Sequence, residues 1–169
     1  MGKFASTITI LFITFYLYGQ TQLKVNVSYP DPTEGRLILI LSSDFSAEPR
    51  FQITDDVKSQ VAAGVNIYEK SGTTTVTFPN KDQVLYPINK WEDLPEGAYQ
   101  VQALINRYET FNLSTGHTVQ LPPDMGEGQH WNTKPLNIYC QPVKIQLKKG
   151  QATEINLMLD QYISPLPEP

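Results

Sequence analysis

The chain has 169 residues, with 17 acidic against 13 basic side chains and a net charge of −4. That balance, with no Lys/Arg cluster beyond Lys148-Lys149, excludes a nucleic-acid surface. The length suits one domain with a real core rather than two, and a single cysteine excludes an internal disulfide.

The first residues read as an export signal. Lys3 gives a short basic start, Ile8–Tyr18 is an unbroken run of apolar residues and threonine, and residues 19–22 turn polar. The run is shorter than the roughly 20 apolar residues a membrane span needs. Cleavage is expected near Gly19, although Leu17 and Tyr18 are large for a cleavage site. A retained N-terminal anchor is the alternative, and the only membrane contact the sequence offers. No cysteine follows the run, so a lipid-modified cysteine is excluded. The expected layout is a signal peptide over 1–19, one domain over 20–162, and a proline-rich tail or linker start over 163–169. The location is periplasmic or extracellular.

Strand patterns dominate the rest of the chain. Leu23–Tyr29 alternates, and Arg36–Leu41 is a continuous apolar run of the kind covered on both faces. Arg50–Ile53 reads as a short strand. Asp55–Ala63 is the best helix candidate, at one or two turns. Gly64–Glu69 and Thr73–Phe78 are rich in β-branched and aromatic residues; Val84–Ile88 is weaker. In Gly97–Tyr108, Tyr99, Val101, Ala103 and Ile105 point one way, while Gln100, Gln102 and Asn106 point mostly the other. Thr118–Leu121, Val143–Leu147 and Thr153–Leu159 complete the set. The fold class is therefore all-β, an immunoglobulin-like antiparallel sandwich with one long ordered loop. Leu94-Pro95-Glu96-Gly97-Ala98-Tyr99 reads as a turn entering a strand. There a corner tyrosine would return its hydroxyl to nearby backbone, with an ordinary core tyrosine as the alternative.

The long connection is Pro122–Pro142. A segment of this length without its own periodicity tends to be functional or disordered. Trp131 and Tyr139 argue for order, because disordered segments are poor in aromatics. Cys140 is either a buried thiol or an intermolecular partner. With His130 and Asn132 it forms a weak imitation of a nucleophilic cysteine site. Asp124, Glu127 and His130 are spaced by three and could ligate a metal, although no motif sets a geometry. Trp91, Tyr108, Phe111, Trp131 and Tyr139 are candidates for stacking on sugars. Asn26-Val27-Ser28 and Asn112-Leu113-Ser114 match a glycosylation pattern too weak to carry weight. There is no G-x-S-x-G, H-E-x-x-H, phosphate loop or dinucleotide fingerprint. No catalytic residue, resident metal or cofactor is assigned.

Three phrases add a resemblance: Gly35–Ile53, Asp93–Phe111 and His117–Tyr139. They resemble the N-terminal region of large secreted bacterial proteins described as esterases, where a β-rich domain precedes an α/β-hydrolase domain. The resemblance spans roughly Leu23 to Leu159. The family's nucleophile, acid and histidine would lie beyond Pro169, so no catalytic residue carries over. The implied role is a non-catalytic accessory domain that packs on or positions a hydrolase domain or subunit. Trp131 and Tyr139 are then the expected anchors, with His130, Asn132 and Lys134 beside them as polar contacts. The alternative is a module that binds polysaccharide or a cell surface, and the remaining one is a stand-alone hydrolase.

Overall fold

Alternation of apolar and polar residues sets the layers of this protein. The computed structural model describes residues 22–30, 32–56, 58–69, 74–124, 126, 128 and 130–165. The expected signal or anchor over 1–19, and the tail from 166 onward, lie outside the described residues. Twelve strands carry the described chain: β1 (Gln22–Tyr29), β2 (Thr33–Ser42), β3 (Val61–Glu69), β4 (Thr74–Phe78), β5 (Val84–Tyr86), β6 (Gly97–Arg107), β7 (Glu109–Asn112), β8 (Thr118–Leu121), β9 (Ile138–Tyr139), β10 (Val143–Leu147), β11 (Ala152–Met158) and β12 (Gln161–Tyr162). There is no α-helix among the described residues.

The smaller sheet runs β11-β1-β4, with β1 parallel to β11 and antiparallel to β4. The larger sheet runs β12-β9-β6-β2-β3-β5. β10 pairs with the first half of β6 and β9 with its second half, so two short strands share one long edge. β7 and β8 form a separate hairpin.

The sheets face each other as a sandwich. Val25, Val27 and Tyr29 of β1, Phe78 of β4 and Leu157 of β11 meet Leu37, Leu39 and Leu41 of β2. Val65 and Ile67 of β3, and Val101, Ala103 and Ile105 of β6, complete the same core. Burying each large aliphatic side chain contributes about 1.5–3 kcal/mol. Gly35 is required where β2 passes β6, because a Cβ there would run into the backbone carbonyl of Asn106.

Two local expectations are corrected. Asp55–Ala63 is not helical. The chain bends at Asp55 and Asp56, the Ser59 N–H donates back to the Asp56 carbonyl at 3.1 Å, and β3 already begins at Val61. Ala62 sits opposite Ile40 on one side and Tyr86 on the other, and the two ladders claim backbone groups that a helix would use internally. Arg50–Ile53 is not a strand. A 3-10 turn spans Pro49–Phe51, with Pro49 at its start, where a missing N–H costs nothing. The hairpin strand β7 has no counterpart in the expected set. The corner at Tyr99 is present: the ring is buried and the hydroxyl donates to the Pro95 carbonyl at 2.9 Å.

Candidate functional site

β6 is the platform of the site. Its inward residues build the core, and its alternate residues Gln100, Gln102 and Leu104 face the far side of the larger sheet. That far side is covered. Ile40, Gln102 and Leu104 are fully buried there, under the segment after β2 and under the long loop. This is why Arg36–Leu41 is apolar on both faces.

Glutamines fasten the cover. The Gln100 side-chain amide donates to the Asp44 and Ala47 carbonyls, both at 2.7 Å. The Gln102 amide donates to the Cys140 carbonyl at 2.9 Å and to Glu48 at 3.0 Å, while its Oε1 accepts the Arg50 N–H at 3.0 Å. One buried side chain thus ties both covering segments to the sheet. A buried amide with every group satisfied fixes geometry, because any rearrangement strands a polar group in low dielectric.

Arg50 joins the two segments laterally. Its guanidinium lies 4.3 Å from the centroid of the Tyr139 ring and 4.4 Å from that of Phe51. It donates to the Asn132 carbonyl at 2.9 Å and pairs with Glu48 at 2.9 Å. A planar, permanently charged fork suits a site with two ring faces and two acceptors, and a lysine would not fill it.

Asn137 organises the base of the loop. It is fully buried; its Oδ1 accepts the Arg107 N–H at 2.9 Å, and its Nδ2 donates to the Trp131 carbonyl at 2.8 Å and to Asn106 at 3.2 Å. Lys134 is 2% exposed and its ammonium donates to the Arg107 carbonyl at 2.7 Å. The chain's last described segment closes the arrangement: the Leu136 N–H donates to Ile163, and the Ile163 N–H to Asn137, both at 2.9 Å. Residues 131–140 are held by polar staples rather than by a core of their own.

The anchors expected from the sequence have different surroundings. Trp131 is half-buried and walls a groove of about 190 Å³ together with Ile38, Ile53, Ala62, Val84 and Tyr86. Val84 is 60% exposed, and the ring of Tyr86 is also open to solvent. Gly64 leaves room for the Arg36 guanidinium at the groove's edge, where an added Cβ would lie 2.7 Å from it. Tyr139 is half-buried and gives one ring face to Arg50, so that face is not open to a ligand. His130 is exposed, and its carbonyl accepts the Thr133 N–H. Asn132 is half-buried, with its carbonyl committed to Arg50. Lys134 faces inward.

The alternative chemistries find little support in this geometry. Cys140 is a buried thiol: its sulfur accepts the Ala103 N–H at 3.3 Å, and burial pushes its pKa up to about 11. A nucleophilic cysteine requires the opposite shift. Asp124 accepts the Gly126 N–H, and Glu127 lies outside the described residues. Among the described residues no three His, Cys, Asp or Glu side chains gather as a metal centre would require. Asn26 is held within the smaller sheet by Glu154, Asn156 and Thr77.

Gln102, Arg50 and Asn137 escape sequence reasoning. Each is polar and isolated in sequence, and only the fold brings them under the loop. A polar Asn137 set between the apolar Leu136 and Ile138 is the nearest signal the sequence holds. Comparison with protein-family models, with curated proteins and with solved structures finds no match for this chain.

Proposed function

We propose that this chain is a non-catalytic, exported binding module that docks a partner protein on the far face of its larger sheet. The observation carrying this reading is the groove beside Trp131. An apolar channel bounded by a half-buried indole, an exposed valine and an exposed tyrosine is where a partner's side chains would be desolvated. The groove is walled mostly by strands of the larger sheet, and the Trp131 carbonyl on its loop side is held by Asn137, so little ordering entropy is lost on docking. The corner at Tyr99 supports an immunoglobulin-like form of the sandwich. The resemblance in the sequence makes an α/β-hydrolase domain the partner of choice.

The test is titration of the purified chain with the hydrolase domain of a protein of the resembled family. Trp131 emission reports binding, read against the buried Trp91. A saturable change is expected, weakened at least about tenfold by Val84→Glu at the exposed groove wall. No complex with such domains, or binding indifferent to Val84→Glu, would refute the reading.

A further inference from the structure

The side of the sandwich away from β10 has a different character. β5 covers β3 only from Ala62 to Gly64. Beyond it, Val65–Tyr68 pair with β2 on one side and with no strand on the other among the described residues. Facing them, β4 pairs with β1 alone. Between these two edges lies a groove of about 470 Å³, walled by residues 65–68 and 75–77 and bounded by Asn80 and Asp82.

Exposed strand edges are templates for pairing, and proteins blunt them with charge, proline or short length. The other edges here are blunted. β5 has three residues and runs into Pro87, and β12 has two. β10 carries Lys144, and β11 carries Glu154 tied to Lys24. β7 begins with Glu109, and β8 runs into Pro122-Pro123. The stretches at the groove read Val65-Asn66-Ile67-Tyr68 and Thr75-Val76-Thr77, with no charge, proline or glycine within them; Glu69 stands at the last position of β3, and Pro79 comes just after β4. Apart from Asn66 they are made of the residue types that favour strands.

We infer that this open edge takes up an extended peptide strand of another protein, one that is uncharged where it pairs and basic at one end. The proposal does not depend on the Trp131 groove. Four residues of β3 offer a seat of about 13 Å at strand rise. Val65, Ile67 and Val76 give an apolar floor for alternate side chains, and Tyr68, 61% exposed, gives a ring at the rim. Main-chain hydrogen bonds supply affinity in such strand addition, and alternate side-chain seats supply selectivity. Asp82 is the one ionised side chain lining the groove and has no ion-pair partner among the described residues. On a chain of net charge −4 it selects a lysine or arginine in the ligand.

The experiment is selection of a displayed library of random decapeptides on the full chain, followed by anisotropy with the enriched peptide. Expected are β-branched sequences with a basic end, binding abolished by N-methylating alternate amides, and slowed amide exchange at 65–68. Tyr68→Lys, which places a charge on the edge, should weaken binding at least about tenfold. Asp82→Asn should weaken it about threefold and flatten its salt dependence. Both positions are exposed, and circular dichroism of each variant checks the fold. No enriched peptide, or binding that survives N-methylation and Tyr68→Lys, overturns the proposal. So does a dimer of the chain that Tyr68→Lys dissolves, which would make a second copy the occupant. Oligosaccharide binding lost in Tyr68→Ala, with no peptide bound, overturns it in favour of a glycan.

Discussion

Asn137→Ala probes what orders the loop. The substitution removes one acceptor and two donated bonds from a fully buried side chain. The Arg107 N–H and the Trp131 carbonyl lose their partners. An orphaned buried group costs about 1–3 kcal/mol. Both bonds run through partly buried space, so water can reach one of them, and a loss of about 2–3 kcal/mol is expected. That is a large part of the about 5–15 kcal/mol that holds a domain folded. Urea unfolding followed by far-ultraviolet circular dichroism gives the global loss, and Trp131 emission gives the local one. Emission should shift to the red in the folded state, because the Trp131 backbone loses its tether. Asn137→Asp keeps the Arg107 bond but sets a carboxylate against the Trp131 carbonyl, and should destabilise at least as much. A loss under about 1 kcal/mol for both variants, with emission unmoved, would refute the polar-staple account.

The same geometry sets three further outcomes. Cys140 has a folded pKa raised to about 11 from an ordinary value of 9.0, chiefly by burial. Its protonated form is favoured by folding, so its contribution is complete below pH 9 and is lost as pH rises through 11. Urea stability of the wild type should therefore fall by about 2 kcal/mol more than that of Cys140→Ala between those limits; parallel pH curves would contradict it. Arg50→Lys keeps the charge but loses the fork between two rings, and should cost about 1–2 kcal/mol in urea unfolding. Equal stability would show that the ring contacts contribute nothing. Lys24 and Glu154 form an exposed pair that holds the Glu154 carboxyl below its usual range, so Glu154→Gln should leave the unfolding midpoint unchanged, and a clear shift would overturn that.

The longer strands are legible from sequence. β1 and β6 alternate, β2 carries a continuous apolar run over Arg36–Leu41, and β11 sets Ile155 and Leu157 two apart. β9 and β12 have two residues each, too few for any period, and exist because β6 and the loop bring their backbones together. β7 follows β6 after Tyr108 alone and leaves the larger sheet to pair with β8, a switch that no local residue announces. Gln100 and Gln102 show the limit most clearly. Their alternation against the core reads correctly as facing away, yet away means under a loop rather than into water. Whether a polar face is solvated or clamped depends on segments about 40 to 50 residues distant. Trp131 and Tyr139 mark the stretch of Pro122–Pro142 that packs on the sheet, but two of its fastenings, Arg50 and Gln102, lie outside it.

The parallel pairing of β1 with β11 has a consequence for the chain in time. Lys24 and Glu154 touch across a separation of 130 residues. Pairing over such a distance must close most of the chain before any contact rewards it, which slows folding. A growing polypeptide exposes β1 early and can offer it only β4 until the last strands are made. The smaller sheet therefore stays open for nearly the whole of synthesis, and a chain cut before Ala152 would keep it open.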